Sequence, residues 1–126
     1  MEQTSKEILM KDLCARLPYN VICKVEFRES GEYKSKNMFL SGVFTDEAYF
    51  TTESGSIYSN EYKPYLFPLS SMTNEQEEEY NDLNCYELGC FPHTEEALDY
   101  LIKNHFDYRG LIEKGLAIDA TNLNIY

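Results

Sequence analysis

Leu9, Leu13 and Leu17 recur every fourth position beside Met10 and Cys14, the spacing that gathers apolar side chains on one face of a helix. Thr4-x-x-Glu7 ahead of them has the form of a capping box, in which two side chains satisfy backbone amides that the first turn leaves free. Pro18 stops the helix, because it lacks an N–H and clashes with the preceding turn. From Val21 the period falls to two: Val21, Cys23, Val25 and Phe27 alternate with Ile22, Lys24, Glu26 and Arg28, which predicts a half-buried strand. Ser30-Gly31 turns the chain. Further strands are predicted near Asn37–Thr45 and Ala48–Thr52, joined into a hairpin at Thr45-Asp46-Glu47, and a weaker fourth within Ser56–Tyr65, closed by Pro64 and Pro68.

After Pro68 the period becomes helical. Thr73-x-x-Gln76 is a second capping box, and Gln76, Tyr80 and Leu83 share one stripe of the helix that follows. Glu75, Glu78, Glu79 and Asp82 stand three and four apart, so four carboxylates line one outward face. Thr94 is placed to cap a third helix with Ala97, Leu98, Leu101 and Ile102 on its apolar side. Asp107 is expected to cap a short fourth helix through Lys114, with Gly115 in the left-handed position that ends helices. Strands followed by helices predict an α+β domain: an N-terminal helix, a three- to four-stranded antiparallel sheet, and two to three C-terminal helices packed on it. A single domain over residues 1–120 and a loose tail over 121–126 are expected.

Charge adds an asymmetry to this plan. The 126 residues carry 22 acidic and 11 basic side chains, a formal charge of −11, which argues against a partner held by phosphate neutralisation and hence against direct nucleic-acid binding. Residues 1–40 hold seven basic and six acidic side chains, whereas residues 41–126 hold four and sixteen. Between Pro64 and Ile102 there are nine acidic residues and neither Lys nor Arg, so negative potential gathers in the helical half. Apolar runs such as Ile8-Leu9-Met10 are far short of the roughly 20 residues that cross a bilayer. Glu2, Glu7 and Asp12 interrupt the first residues, which have no signal-peptide core, so a cytosolic protein with reduced thiols is expected.

Few constellations suggest chemistry. Cys85, Cys90 and His93, with His105 as a fourth donor, supply the sulfur and imidazole that tetrahedral zinc takes, but a single loose cysteine pair is a poor match to structural zinc spacing. The alternative is that both cysteines serve as small hydrophobes. A thiol nucleophile at Cys90 or Cys14 lacks a local signature, and acidic surroundings raise a thiol's pKa rather than lower it. The six glycines are scattered, without a phosphate-cradling loop, and no cofactor is expected. Tyr58, Tyr62, Tyr65, Tyr80 and Tyr86 lie close in sequence, and tyrosine gives large, rigid contact area at interfaces.

Three stretches are distinctive as strings: Lys11-Asp-Leu-Cys-Ala-Arg-Leu-Pro-Tyr19, Lys63-Pro-Tyr-Leu-Phe-Pro-Leu-Ser-Ser-Met-Thr73 and His105-Phe-Asp-Tyr-Arg-Gly-Leu-Ile-Glu-Lys-Gly-Leu-Ala-Ile118. They resemble an uncharacterised family of small proteins found in gut Bacteroidetes genomes, phages and mobile elements, a family with no known activity. The resemblance implies an accessory protein of a phage or mobile element, acting in a bacterial cytoplasm. Physically the stretches read as a helix end, a proline-bracketed loop entering a helix, and a turn between helices. Ser70 and Ser71 are placed to bond free amides there, and Arg16 and Arg109 to fork onto Asp12, Asp107 or Glu113.

The expected function is non-catalytic binding of a protein partner, with Arg16, Lys63, Tyr65, Ser70, Ser71, Asp107, Tyr108 and Arg109 as the candidate binding set. One rival is a DNA mimic acting through Glu75, Glu78, Glu79 and Asp82; the other is a small metal protein or enzyme using Cys85, Cys90, His93 and His105.

Overall fold

The computed structural model describes residues 4–44, 47–52, 55–86, 89–90 and 94–126. Helix α1 (Ser5–Arg16) begins on the expected box: Thr4 Oγ1 accepts from Glu7 N at 3.1 Å and Glu7 Oε2 from Thr4 N at 3.4 Å. A single 3-10 turn through Pro18 and a left-handed Asn20 then deliver the chain into β1 (Ile22–Glu29). Ser30 and Gly31 both take positive φ, 54° and 82°, the conformation whose twist matches that of paired strands. That tight turn zips the hairpin from its tip, pairing Glu29 with Glu32, so β2 (Glu32–Val43) starts five residues earlier than alternation alone predicts. Strand β3 (Ala48–Thr52) pairs with β2 across a bulge between Leu40 and Gly42.

The expected fourth strand is two strands, β4 (Gly55–Ser59) and β5 (Tyr62–Pro68), with a corner at Asn60-Glu61. Ser59 makes the corner: its hydroxyl accepts from Glu61 N at 3.1 Å and donates to Glu26 O at 2.8 Å. The same bond ties the end of β4 back to β1, so the sheet is strongly curled. Pro64 does not close β5, and its register explains why. Glu26 N–H donates to Glu61 O, so Lys24 and Lys63, two pairs along, exchange backbone bonds, while Cys23 and Pro64 form a pair that does not. The ring nitrogen of Pro64 therefore faces away from β1, where a missing N–H costs no ladder bond.

Helices α2 (Asn74–Asn84) and α3 (Glu95–Lys103) lie between β5 and two short parallel partners of it, β8 (Phe106–Asp107) against Phe67–Pro68 and β9 (Ile118–Asp119) against Tyr65–Leu66. Cys85–Tyr86 and Gly89–Cys90 form β6 and β7, a separate small hairpin. The main sheet has seven strands in the order β4-β3-β2-β1-β5-β8, with β9 also on β5, larger than expected but of the expected α+β class. Its core gathers on the concave side, where Leu9 and Leu13 of α1 meet Val21, Cys23, Val25, Leu40, Phe50 and Leu66. The expected fourth helix is a turn: the Asp107 carboxylate does accept from Leu111 N and Ile112 N, both at 2.9 Å, but Gly110 at φ 72° breaks the helical path between them. The C-terminal stretch expected to be loose is anchored at Tyr126, whose hydroxyl accepts from Ile22 N and donates to Tyr65 O, each at 2.8 Å.

Candidate functional site

The three distinctive stretches meet in space, the first and third at a buried charge cluster and the second and third by backbone pairing. Arg16 and Asp12 are one helical turn apart on α1, and both are wholly buried. Arg16 Nε donates to Asp12 Oδ2 at 2.7 Å, and Arg16 Nη2 to Phe106 O at 2.6 Å, so one guanidinium fastens the first stretch to the third. Arg109 Nε donates to the other carboxylate oxygen of Asp12 at 3.2 Å, and its guanidinium lies 4.8 Å from the centre of the Tyr108 ring. Arg16 approaches the same ring at 5.7 Å. Two cations thus share one carboxylate and one aromatic ring. Charge-assisted bonds of this kind are strong only where water is excluded and partners are fixed, which makes the cluster a clamp between elements.

The second stretch enters through backbone pairing and Tyr65, which is 7% exposed and donates its hydroxyl to Asn37 Oδ1 at 2.7 Å. His105 stacks on Tyr126 at 3.8 Å, with the rings 11° from parallel, and its Nδ1 is buried without a hydrogen-bond partner. Burial first, and the Arg16 guanidinium second, push the His105 imidazole down to about 4. Arg16, Tyr108 and Arg109 are therefore brought together at Asp12, and Asp107 joins the same stretch through its bonds to Leu111 and Ile112, whereas Tyr65 is engaged apart from them, on Asn37. Ser71 Oγ donates to Pro68 O at 2.7 Å instead of capping α2, a role filled by Thr73; Ser70 is exposed on the turn beside it. Ser71 also lines a 190 Å³ cleft with Gln76, Asn104 and Thr121, whose Oγ1 is buried and unpartnered. Lys63 lies apart from the clamp, exposed on β5 opposite Lys24.

Among the acidic candidates, Glu75, Glu78 and Asp82 are exposed, and Glu79 accepts from the Tyr100 hydroxyl at 2.9 Å, joining α2 to α3. Of the sulfur and imidazole set, the backbone register sets Cys85 opposite Cys90; their side chains, and His93 altogether, lie outside the described residues. No group of three or more His, Cys, Asp or Glu able to hold a metal ion occurs among the described residues. Burial pushes the Cys23 thiol far up, which makes it an inert core residue, while Cys14 is exposed on α1. No helix is long and apolar enough to cross a membrane among the described residues.

Sequence reasoning passed over the convex face of the sheet. Phe39 is 47% exposed, Phe44 52% and Tyr58 56%. The rings of Phe44, Tyr49 and Tyr58 form a cluster, with Phe44 and Tyr58 5.7 Å apart and Tyr49 and Tyr58 4.8 Å apart, and Phe39 is on the same face by register, opposite Thr51 and beside Asn124 and Ile125. Tyr33, further along, stacks under Arg28 at 4.9 Å. The signal was present in Met38-Phe39-Leu40, where a third apolar residue interrupts alternation and so must face away from the core. Of the five tyrosines close in sequence, only Tyr58 joins this band among the described side chains: Tyr62 donates to Met10 Sδ at 3.0 Å, Tyr65 is buried and Tyr80 is half-buried. No family model, curated protein or solved structure matches the chain, and its function has to be read from these surfaces.

Proposed function

We propose that this chain is a non-catalytic accessory protein of a phage or mobile element, acting in the bacterial cytoplasm by docking the convex aromatic face of its sheet on a protein partner. The observation that carries the reading is the exposed aromatic face of the sheet, where Phe44 and Tyr58 cluster with the half-buried Tyr49 and Phe39 is exposed on the same face. Contiguous apolar surface of this kind is costly in water and marks interaction sites, and aromatic side chains dominate the energy of such contacts. The partner this face fits presents an apolar patch, since the chain's excess of negative charge gathers in the helical half and not in the strands that carry this face. The likeness of the three stretches to proteins of Bacteroidetes phages and mobile elements supports the setting, and the buried clamp supports a structural role for Arg16 and Arg109.

Affinity capture from infected and uninfected lysate, at low and high salt, tests the reading when wild type is run beside Phe39→Ser/Tyr58→Ser and a Glu75→Lys/Glu78→Lys/Asp82→Lys variant. The expected result is a protein held through high salt, lost by the aromatic variant and kept by the charge-reversed one. Retention indifferent to Phe39→Ser/Tyr58→Ser overturns the proposal. Salt-sensitive capture of a DNA-binding protein that only the charge-reversed variant loses replaces it with mimicry of nucleic acid by α2.

A further inference from the structure

On the convex face of β5, β1 and β2 the strand pairing aligns every second side chain into rows across the sheet. Lys63, Lys24 and Asn37 form one row. Glu61, Glu26 and Ser35 form the next, since Glu26 pairs with Ser35 on one side and donates its N–H to Glu61 O on the other. One row beyond the lysines Ile22 pairs with Phe39, and one row beyond the glutamates Arg28 pairs with Tyr33. The Tyr33 hydroxyl reaches a Glu61 carboxylate oxygen at 3.2 Å, and the Arg28 guanidinium lies 4.9 Å from the centre of the Tyr33 ring, so these side chains share one face. Phe39 and Tyr33 are 47% and 58% exposed, and both lysines and both glutamates are exposed between them. Like charges thus stand side by side within each row, an unfavourable arrangement in a sheet, while the sign reverses from one row to the next. Lys24, Lys63 and Glu26 make no ion pair among the described residues. With Arg28 the rows carry three cations against two anions, close to balance in a chain of charge −11.

We infer that this face pairs with the same face of a second copy of the chain, about a two-fold axis that runs along the rows, midway between the lysines and the glutamates. Such an axis makes the face its own complement, because residue i meets residue j and j meets i. Lys24 and Lys63 of one copy lie over Glu26 and Glu61 of the other, and the reverse, which turns two repulsive rows into four unlike pairs. Phe39 lies over Tyr33 by the same symmetry, joining the two large exposed rings of β2 in two aromatic contacts. Sheets packed face to face stand about 10 Å apart, a gap that a lysine and a glutamate span together. The rings supply most of the affinity and the charges fix the register, for an axis drawn along the lysine row itself sets lysine over lysine. Contact centres on the charged rows because the face is convex, and Asn124 and Ile125, beside Phe39, stand at its margin. The pairing rests on sheet register and not on the partner proposed above: it takes Phe39 and leaves the cluster of Phe44, Tyr49 and Tyr58, beyond β2, to that partner.

Sedimentation velocity of the full chain, at concentrations from about 5 to 500 µM, tests the inference. A reversible dimer with a Kd on the order of 10 µM is expected, the weak affinity that a face of this modest area supports. Lys24→Glu/Lys63→Glu and Glu26→Lys/Glu61→Lys are each expected to be monomeric, because like charges then face each other in every row. Mixed in equal amounts, the two variants are expected to form a heterodimer at least as tight as the wild-type dimer, since one copy is then acidic throughout and the other basic. That restoration separates loss of contact from loss of fold. Nuclear Overhauser effects from Phe39 to Tyr33 are expected between isotope-labelled and unlabelled wild-type copies, whereas within one chain these residues are about 20 Å apart along β2. A wild-type chain monomeric at about 500 µM, dimers that persist in both charge variants, a mixture that stays monomeric although both variants are folded by circular dichroism, or absence of those contacts between copies overturns the inference. A dimer abolished by Phe44→Ser/Tyr58→Ser overturns it as well, by placing the self-contact on the aromatic cluster.

Discussion

Replacing Arg16 by Met keeps the length and apolar stem of the side chain and removes only the guanidinium. In the folded protein Asp12, wholly buried, then loses its 2.7 Å bond and keeps only the 3.2 Å bond from Arg109, a side chain 24% exposed. Phe106 O loses its 2.6 Å donor at the same time. Removing one partner of a buried pair costs about 3–5 kcal/mol. Against a total folding stability of about 5–15 kcal/mol, that is a large fraction of the whole. The double variant Asp12→Leu/Arg16→Met isolates the cause, because it removes the stranded carboxylate along with the cation and leaves Arg109 able to turn toward water. It is expected to recover about 1–4 kcal/mol relative to Arg16→Met, the gain seen when buried ions are replaced together by apolar residues. Urea unfolding followed by far-UV circular dichroism is the suitable assay, since the chain has no Trp to report by fluorescence. A loss under about 1 kcal/mol in Arg16→Met, or a double variant no more stable than the single one, refutes the view of Arg16 as a clamp.

Three further outcomes are expected. His105 is held at about 4 against an ordinary 6.5, so between these pH values the unfolded chain binds a proton that the fold refuses. The stability associated with it is full above pH 6.5 and is lost as pH falls toward 4, at up to about 1.4 kcal/mol per pH unit. His105→Asn, which suits the left-handed φ of 64°, should remove that slope from urea-derived stabilities, and an unchanged slope contradicts the assignment. Thr94→Ala removes the cap on Ala97 N and the 2.7 Å bond to Leu83 O, and should cost about 0.5–2 kcal/mol in the same assay; no loss would mean that α3 starts without help from its cap. Tyr126→Phe keeps the ring on His105 but deletes the bonds to Ile22 and Tyr65, and should cost about 0.5–1.5 kcal/mol, with faster exchange of the Ile22 amide as its local signature.

Local chemistry wrote much of this fold plainly in the sequence. The Thr4/Glu7 and Thr73/Gln76 boxes, the Thr94 cap and the alternation from Val21 all depend on neighbours within four residues, and all are present. What stayed hidden depends on distant partners. Nothing near Pro64 announces that its nitrogen faces away from the ladder, since that depends on the register with Cys23. Asp107 does bind the amides expected of a cap, yet Gly110 turns the chain, and residues 106–107 are taken by β5 instead. The convergence of Arg16, Tyr108 and Arg109 on Asp12 was invisible for the same reason, although internal pairing of both arginines with Asp12, Asp107 or Glu113 was legible from charge. Lys24 opposite Lys63 and the band around Tyr58 require knowing which strands are neighbours, and the order of strands is a property of the whole sheet.

The bond from Arg16 to Phe106 joins residues 90 apart, and that from Tyr126 to Ile22 spans 104. During synthesis α1 emerges before Phe106, and its polar pair has nowhere dry to go until that later segment is made. Closure of such long loops carries an entropy cost that is repaid only when both ends are in place, so these contacts belong to the last stage of folding. Their loss is therefore expected in the unfolding rate and not in the folding rate. The clamp acts as a lock on the finished protein: it sets how long the native state survives, while the hairpins built on local turns set how quickly it is reached.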